Sequence, residues 1–135
     1  MTKRQLRATV PASAADVLDR LDAQLSRSEW ALPFRGSSAR WVQHSRRTGA
    51  GRIEFEQTDG DFQHLRGAWS ATDLADGGCE VAFEVNFSTS VPHLAGAIDS
   101  AIGRVLVRTA HQIMSASGGP VRVTAGGHHL RDLPG

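Results

Sequence analysis

Between Ile53 and Trp69 the chain reads IEFEQTDGDFQHLRGAW, with large apolar groups at alternate positions on each side of Asp59-Gly60. Alternation with period two marks a strand that buries one face, and Asp-Gly between two such runs is a strong hairpin signal. An amphipathic hairpin cannot stand alone; it needs more strands beside it and apolar cover over its greasy side. The flanking segments supply those strands. SEWALPF places Trp30, Leu32 and Phe34 on one face, and ARWVQHS aligns Trp41, Gln43 and Ser45. RIEFEQT sets Ile53, Phe55 and Gln57 against Glu54 and Glu56. After the turn, Leu65, Gly67 and Trp69 share a face, while Phe62 is out of phase and predicts a bulge. CEVAFEVNFS sets Val81, Phe83, Val85 and Phe87 against Glu80, Glu84 and Asn86. The links are turn chemistry: Arg35-Gly36-Ser37-Ser38, Thr48-Gly49-Ala50-Gly51, Thr58-Asp59-Gly60 and Asp76-Gly77-Gly78. Short links between alternating runs imply an antiparallel meander with one wet face.

Helical spacing brackets this meander. RQLRATV, Arg4 to Val10, reads as an opening strand broken by Pro11, and Ser13 with Asp16 resembles a capping box. Behind that cap Val17, Leu18, Leu21 and Leu25 form one stripe, which predicts a helix from Ser13 to about Ser26. Pro92 is expected to start a long helix through VPHLAGAIDSAIGRVLVRTAHQIM. Its buried stripe is predicted as Leu94, Ile98, Ala101, Ile102, Val105, Thr109 and Ile113, with Gln112 inside the arc and Arg104 and His111 opposite. Gly118 and Gly119 end it, and the Gly/Pro-rich remainder, 118–135, is expected to be a mostly disordered tail after a single domain spanning 1–117.

Composition narrows the classes. With 40% hydrophobic and 21% charged residues the chain is globular, and a net charge of +1 gives no field calling for nucleic acid or an anionic membrane. The single cysteine, Cys79, excludes an internal disulfide framework and reads as a small structural thiol in a reducing cytoplasm. No window approaches a membrane span, and MTKRQLRATV lacks an apolar signal core, so a cytoplasmic location is expected.

The order of elements is strand, helix, antiparallel strands, long helix. A curved sheet is wider than the one helix it wraps, about 10 Å across, so the space beside that helix is expected to hold large side chains or a ligand. The string FRG, RW, IEFEQTDGDF and L-G-W, followed by V-F-V-F, a proline and a long helix, resembles the START-like (SRPBCC) superfamily. Within it the chain looks most like the polyketide cyclase/dehydrase members, which are related to aromatase/cyclases. The resemblance covers roughly Arg4 to Met114 and is most specific from Trp30 to Trp69. It implies an α+β helix-grip fold with a deep pocket between sheet and long helix, no fixed catalytic motif and no cofactor. Such family members usually carry a second short helix and another strand after the first helix; here only about LDAQLS stands in that place. Either the first helix runs almost directly into the sheet or that edge of the grip is missing, and an open edge would invite a partner chain, a homodimer among the possibilities.

Candidate site residues follow from the inward faces. Trp30, Trp41 and Trp69 are read either as core or as a flat-walled slot, joined by Phe55 and Phe83. Gln43 and Gln57 share the apolar face, where an unpartnered amide costs roughly 1–3 kcal/mol, so each must meet a neighbour, a water or a ligand carbonyl. Thr109 and Gln112 approach from the long helix. Arg66 alternates outward unless the bulge reverses its phase; with Arg35 and Arg108 it is the charge available to hold a carbonyl or enolate. His44 and His64 fall on the wet face. His128-His129 lacks the spacing of a metal site, and Gly49-Ala50-Gly51 joins two strands instead of opening a helix, so neither metal nor nucleotide binding is expected.

The expected activity is cyclisation and dehydration of a hydrophobic poly-ketone, which an acyl carrier protein could deliver. Aromatic walls would fold the chain, Gln43 and Gln57 would donate to its carbonyls, and Arg66 or water would assist. The competing class is a carrier for a quinone, lipid or natural product, and a third is a fold member acting through protein contacts.

Overall fold

A computed structural model describes residues 2–26, 28–34, 37–49, 51–89 and 95–126. Strand β1 (Thr2–Val10) leads into helix α1 (Ala14–Leu25), then β2 (Glu29–Phe34), β3 (Ser37–Arg47), β4 (Arg52–Gly60), β5 (Phe62–Asp73), β6 (Cys79–Thr89), helix α2 (Ala95–Gly118) and β7 (Arg122–Ala125). The strands form one antiparallel sheet in the order β2-β3-β4-β5-β6-β1-β7. This is the helix-grip arrangement, with the meander β2 to β6 closed by the first strand.

Local chemistry accounts for the boundaries. The Ser13 hydroxyl accepts from the Asp16 N–H at 3.3 Å, and the Asp73 carboxylate at the end of β5 accepts from the Ala14 N–H at 2.8 Å. Two free N–H groups at the start of α1 are thereby satisfied, one by its own cap and one by the sheet. Its stripe of Ala14, Val17, Leu18, Leu21 and Leu25 is buried, as the spacing predicts. α1 ends at Leu25 and β2 begins at Glu29, so the first helix does run almost directly into the sheet.

The expected bulge is present: pairing of β5 with β6 shifts between Phe62 and His64, which turns the Phe62 ring inward. A second shift between Val42 and Gln43 lies on the β3–β4 pair. Beyond it, Gly60 (φ +149°) sits where a Cβ would collide with Trp41, a close approach that only glycine permits.

Two expectations need correction. The remainder after α2 is not disordered throughout: Gly119 adopts φ +88° at the helix end, and Arg122–Ala125 returns as an edge strand on β1. The half-buried Val121 and Val123 pack against the core and supply the apolar contact that makes the return worthwhile. Residues 127–135, with His128 and His129, lie outside the described residues, as do Arg35, Pro92 and Leu94.

The second correction concerns the face of α2. Its buried arc is Ile102, Gly103, Leu106, Val107, Ala110, Met114, Ser117 and Gly118. Ala101, Val105, Thr109 and Ile113, placed at the centre of the stripe by the sequence, sit half-buried on its flank, and Gln112 is exposed. The reason is what α2 packs against: β1, α1, β6 and β2, with α1 covering β3, β4 and β5. Val10 fills the place of a Gly118 side chain and Arg4 that of Gly103, so the two glycines let α2 settle onto β1.

Candidate functional site

Where α1, α2 and the concave face of the sheet meet, a small cavity of about 40 Å³ remains. Strand alternation aims Trp41 and Gln43 into it from β3, Phe55 from β4, Leu65 and Trp69 from β5, and Phe83 and Val85 from β6. Leu25 and Trp30 line the α1–β2 side, and Leu106, Thr109, Ala110 and Ile113 come from α2. Seven residues named from the sequence therefore converge here: Trp30, Trp41, Gln43, Phe55, Trp69, Phe83 and Thr109.

The rings pack in two groups. Trp30 and Trp41, cross-strand partners, stack at 6.2 Å with an 11° interplanar angle, and the Phe62 edge meets Trp41 at 5.4 Å. Phe55 stacks on Phe83 at 6.1 Å, and Trp69 leans on Phe83 at 4.6 Å. These are offset and edge contacts between protein rings, and they take up most of the space in which a planar guest was expected. A water needs roughly 10–15 Å³ of such volume, so the cavity has room for a few waters and not for a polycyclic molecule. The expectation of a deep pocket is corrected to that extent. The physical reason is α1: its four large apolar side chains cover the part of the sheet that α2 leaves bare.

Polar groups at the cavity are few and mostly committed. The Trp41 indole N–H donates to Gln43 Oε1 at 2.8 Å, and Gln43 Nε2 donates to Ser45 Oγ at 3.2 Å. Gln43 is only 7% exposed, so this relay along β3 answers the desolvation cost of its amide. The Thr109 hydroxyl donates back to the Val105 carbonyl at 2.9 Å within α2. None of the lining side chains is ionisable.

The other described candidates lie elsewhere. Gln57 turns along the hairpin, donating to the Phe62 carbonyl at 2.8 Å and accepting from the Phe62 N–H at 3.2 Å. Both ends of that amide serve the bulge. Arg66 is exposed on the outer face of the sheet, because the bulge lies ahead of Leu65 and leaves the later phase intact; it faces Glu56 across the strand pair. Gln112 points to solvent, as does Arg108. His44 and His64 are exposed, as their alternation predicts. Leu106 and Ala110 also line the cavity, although the spacing of α2 alone does not single them out, because the face it buries depends on its neighbours.

Cys79 is fully buried at the start of β6, remote from the cavity lining; burial, then the nearby Asp73 carboxylate, raises its thiol pKa. Among the described residues no three His, Cys, Asp or Glu side chains gather as metal ligands. No helix among them is long and apolar enough to cross a membrane.

A curved antiparallel sheet gripping a long C-terminal helix, with an apolar cavity between them, defines a START-like protein. The family described as polyketide cyclase / dehydrase and lipid transport matches residues 8–114, and the chain belongs to it. No curated protein matches. Among solved structures, the fold is similar to a protein from Thermus thermophilus, with 15% identity and a TM-score of 0.68 over 85% of this chain and 93% of that one. A START superfamily protein from Mycobacterium smegmatis aligns at 14% identity and a TM-score of 0.66, covering 85% of this chain and 96% of that one. The Zhui aromatase/cyclase from Streptomyces sp. R1128 aligns at 14% identity and a TM-score of 0.68, covering 86% and 93%. Identities this low establish the shared fold and leave the chemistry to the site.

Proposed function

We propose that this protein binds a neutral, largely apolar ring-bearing small molecule between the sheet and its two helices. The observation that carries this reading is the cavity lining: three indoles and two phenyl rings, one amide, one hydroxyl and no ionisable group. Such walls favour apolar guests through removal of area from water, about 25 cal/mol per Å², and they reject ions through desolvation. Occupancy requires the cavity to widen. Strands β4, β5 and β6 are each paired on both sides, whereas β2 is paired only with β3 among the described residues. The yielding wall is therefore the end of α1 with β2, carrying Leu25 and Trp30.

A second reading, cyclisation, is favoured by the family and by the aromatase/cyclase among its structural relatives. A poly-β-ketone has acidic methylenes and electrophilic carbonyls, so holding reacting carbons together can supply roughly 7–11 kcal/mol without a strong nucleophile. With no acid or base in the lining, closure here would rest on enclosure, on Gln43 as a donor to developing oxyanion charge and on water as proton carrier. An acyl carrier protein would then be the supplier of substrate, from the cytoplasm.

The experiment is a tryptophan-fluorescence titration with naphthalene- and quinone-type ligands, followed by incubation with a thioester polyketone mimic. Saturable quenching that Trp41→Ala weakens is expected. No quenching and no thermal shift with any of them would remove the binding reading. A product pattern and rate unchanged by Trp41→Ala would remove cyclisation while leaving binding in place.

A further inference from the structure

Trp41 and Gln43 point inward from the same face of β3, and their hydrogen bond has a chemical direction. An indole N–H can only donate, and of the two ends of a primary amide only the oxygen can accept it. The 2.8 Å contact therefore fixes which end of Gln43 is the carbonyl: Oε1 faces the indole, and the NH₂ group faces away from it. One hydrogen of Nε2 goes to Ser45 Oγ at 3.2 Å, and the other is uncommitted among the described residues. Across the cavity the Thr109 hydroxyl hydrogen is already given to the Val105 carbonyl. The indole fixes this orientation: were the amide turned over, its NH₂ group would face the indole N–H, whereas the Ser45 hydroxyl could pair with either end. Inside an apolar enclosure such a flip is costly, because the indole N–H is left unsatisfied.

We propose that Trp41 and Ser45 are positioning residues that hold the Gln43 amide with a hydrogen toward the cavity, so that the site selects guests carrying a carbonyl acceptor over isosteric hydrocarbons. This rests on the binding reading above and adds the polarity of the guest to it. The acceptor class covers aryl ketones and quinones. Carboxylates are excluded, because the lining holds no cation.

The test uses 2-acetylnaphthalene, 2-ethylnaphthalene and 2-naphthalenemethanol, titrated into the full chain by calorimetry. For the wild type the ketone is expected to bind about fivefold more tightly than the hydrocarbon, the net yield of one neutral hydrogen bond. Gln43→Met, close in shape but without the amide, is expected to bring that ratio to about one, whatever its effect on the two affinities together. Trp41→Phe keeps a ring and frees the amide to turn its oxygen inward; the ketone preference over the hydrocarbon falls, while the alcohol, which can accept from or donate to either end of the amide, keeps its own, a divergence that loss of packing alone would not produce. Should a variant fail to fold, the Gln43 side-chain amide protons of the wild type are followed by NMR: one of the pair shifts with the ketone and neither with the hydrocarbon. If all three probes bind and the ratio is the same in wild type and Gln43→Met, or neither amide proton responds to the ketone, the proposal is overturned and the binding reading stands. If none of the three binds, the binding reading falls and takes the proposal with it.

Discussion

The wall proposed to yield, the end of α1, is held to α2 by Gln24. Its amide nitrogen, on α1, donates to the Ser117 hydroxyl and to the Ile113 carbonyl at 3.3 Å, both on α2, while Arg20 reaches the Ser117 carbonyl at 3.2 Å. Leu25 and Ile113, next to these contacts, both line the cavity. Gln24→Ala removes two bonds worth about 0.5–1.5 kcal/mol each. The buried Ser117 hydroxyl can turn back to the Ile113 carbonyl four residues earlier, so the net loss should sit near 1 kcal/mol. If guests pass through a state in which α1 has lifted from α2, that loss destabilises the closed form, free and occupied, by the same amount. Association and dissociation should then both quicken, about fivefold, with Kd changed by less than about twofold. Stopped-flow quenching with 2-acetylnaphthalene measures both rates, and thermal unfolding checks the cost to the fold. A variant that melts earlier yet exchanges ligand at wild-type rates would refute the reasoning, since the latch would then be ordinary packing away from the route.

Gln57→Leu should lower stability by about 2 kcal/mol, because the N–H and C=O of Phe62 both lose their partner, while naphthalene binding is unchanged; urea unfolding and titration separate the two. Gly67→Ala should cost about 1–3 kcal/mol, since the new methyl would press on the Glu84 carbonyl and come within 2.5 Å of the Phe55 ring, pushing that ring toward Phe83; denaturant midpoints report it. The Cys79 thiol ordinarily titrates at 9.0 and is raised by burial, so the neutral thiol stabilises the fold below that value. The unfolded chain releases its proton first as pH rises, so stability should decline above about pH 9, and Cys79→Ala should flatten that decline in unfolding curves taken from pH 8 to 10.

Much of this architecture is legible in the sequence where the pattern is local. Period-two alternation sets Trp41, Phe55, Trp69 and Phe83 inward and His44, His64 and Arg66 outward, and one residue out of phase announces the bulge at Phe62. The capping pair of Ser13 and Asp16 locates α1. What fails is whatever depends on a neighbour. α2 carries apolar groups on several faces, so its own periodicity cannot say that Leu106 and Ala110, not Gln112, meet the sheet; that choice is made by β1 and α1. Val123 and Ala125 do alternate, but Arg122–Ala125 is only four residues long within a Gly/Pro-rich remainder, and its pairing with β1 makes a strand of it.

Gln57 and Gln43 show the same division within the site itself. Both lie on inward faces of adjacent strands and are register partners, so alternation gives them equal standing. The bulge separates them. It brings the Phe62 backbone to Gln57, which spends its whole amide there, and leaves Gln43 with Trp41 and Ser45, with one amide hydrogen uncommitted among the described residues. The capacity of the site is settled in a similar way by α1. Four large apolar side chains behind a cap have to be buried somewhere, and the bare concave face beside α2 is the surface within reach of a helix that enters β2 almost at once. A chain with this short connection thus lays α1 over the part of the sheet that α2 leaves bare and brings Leu25 to the cavity.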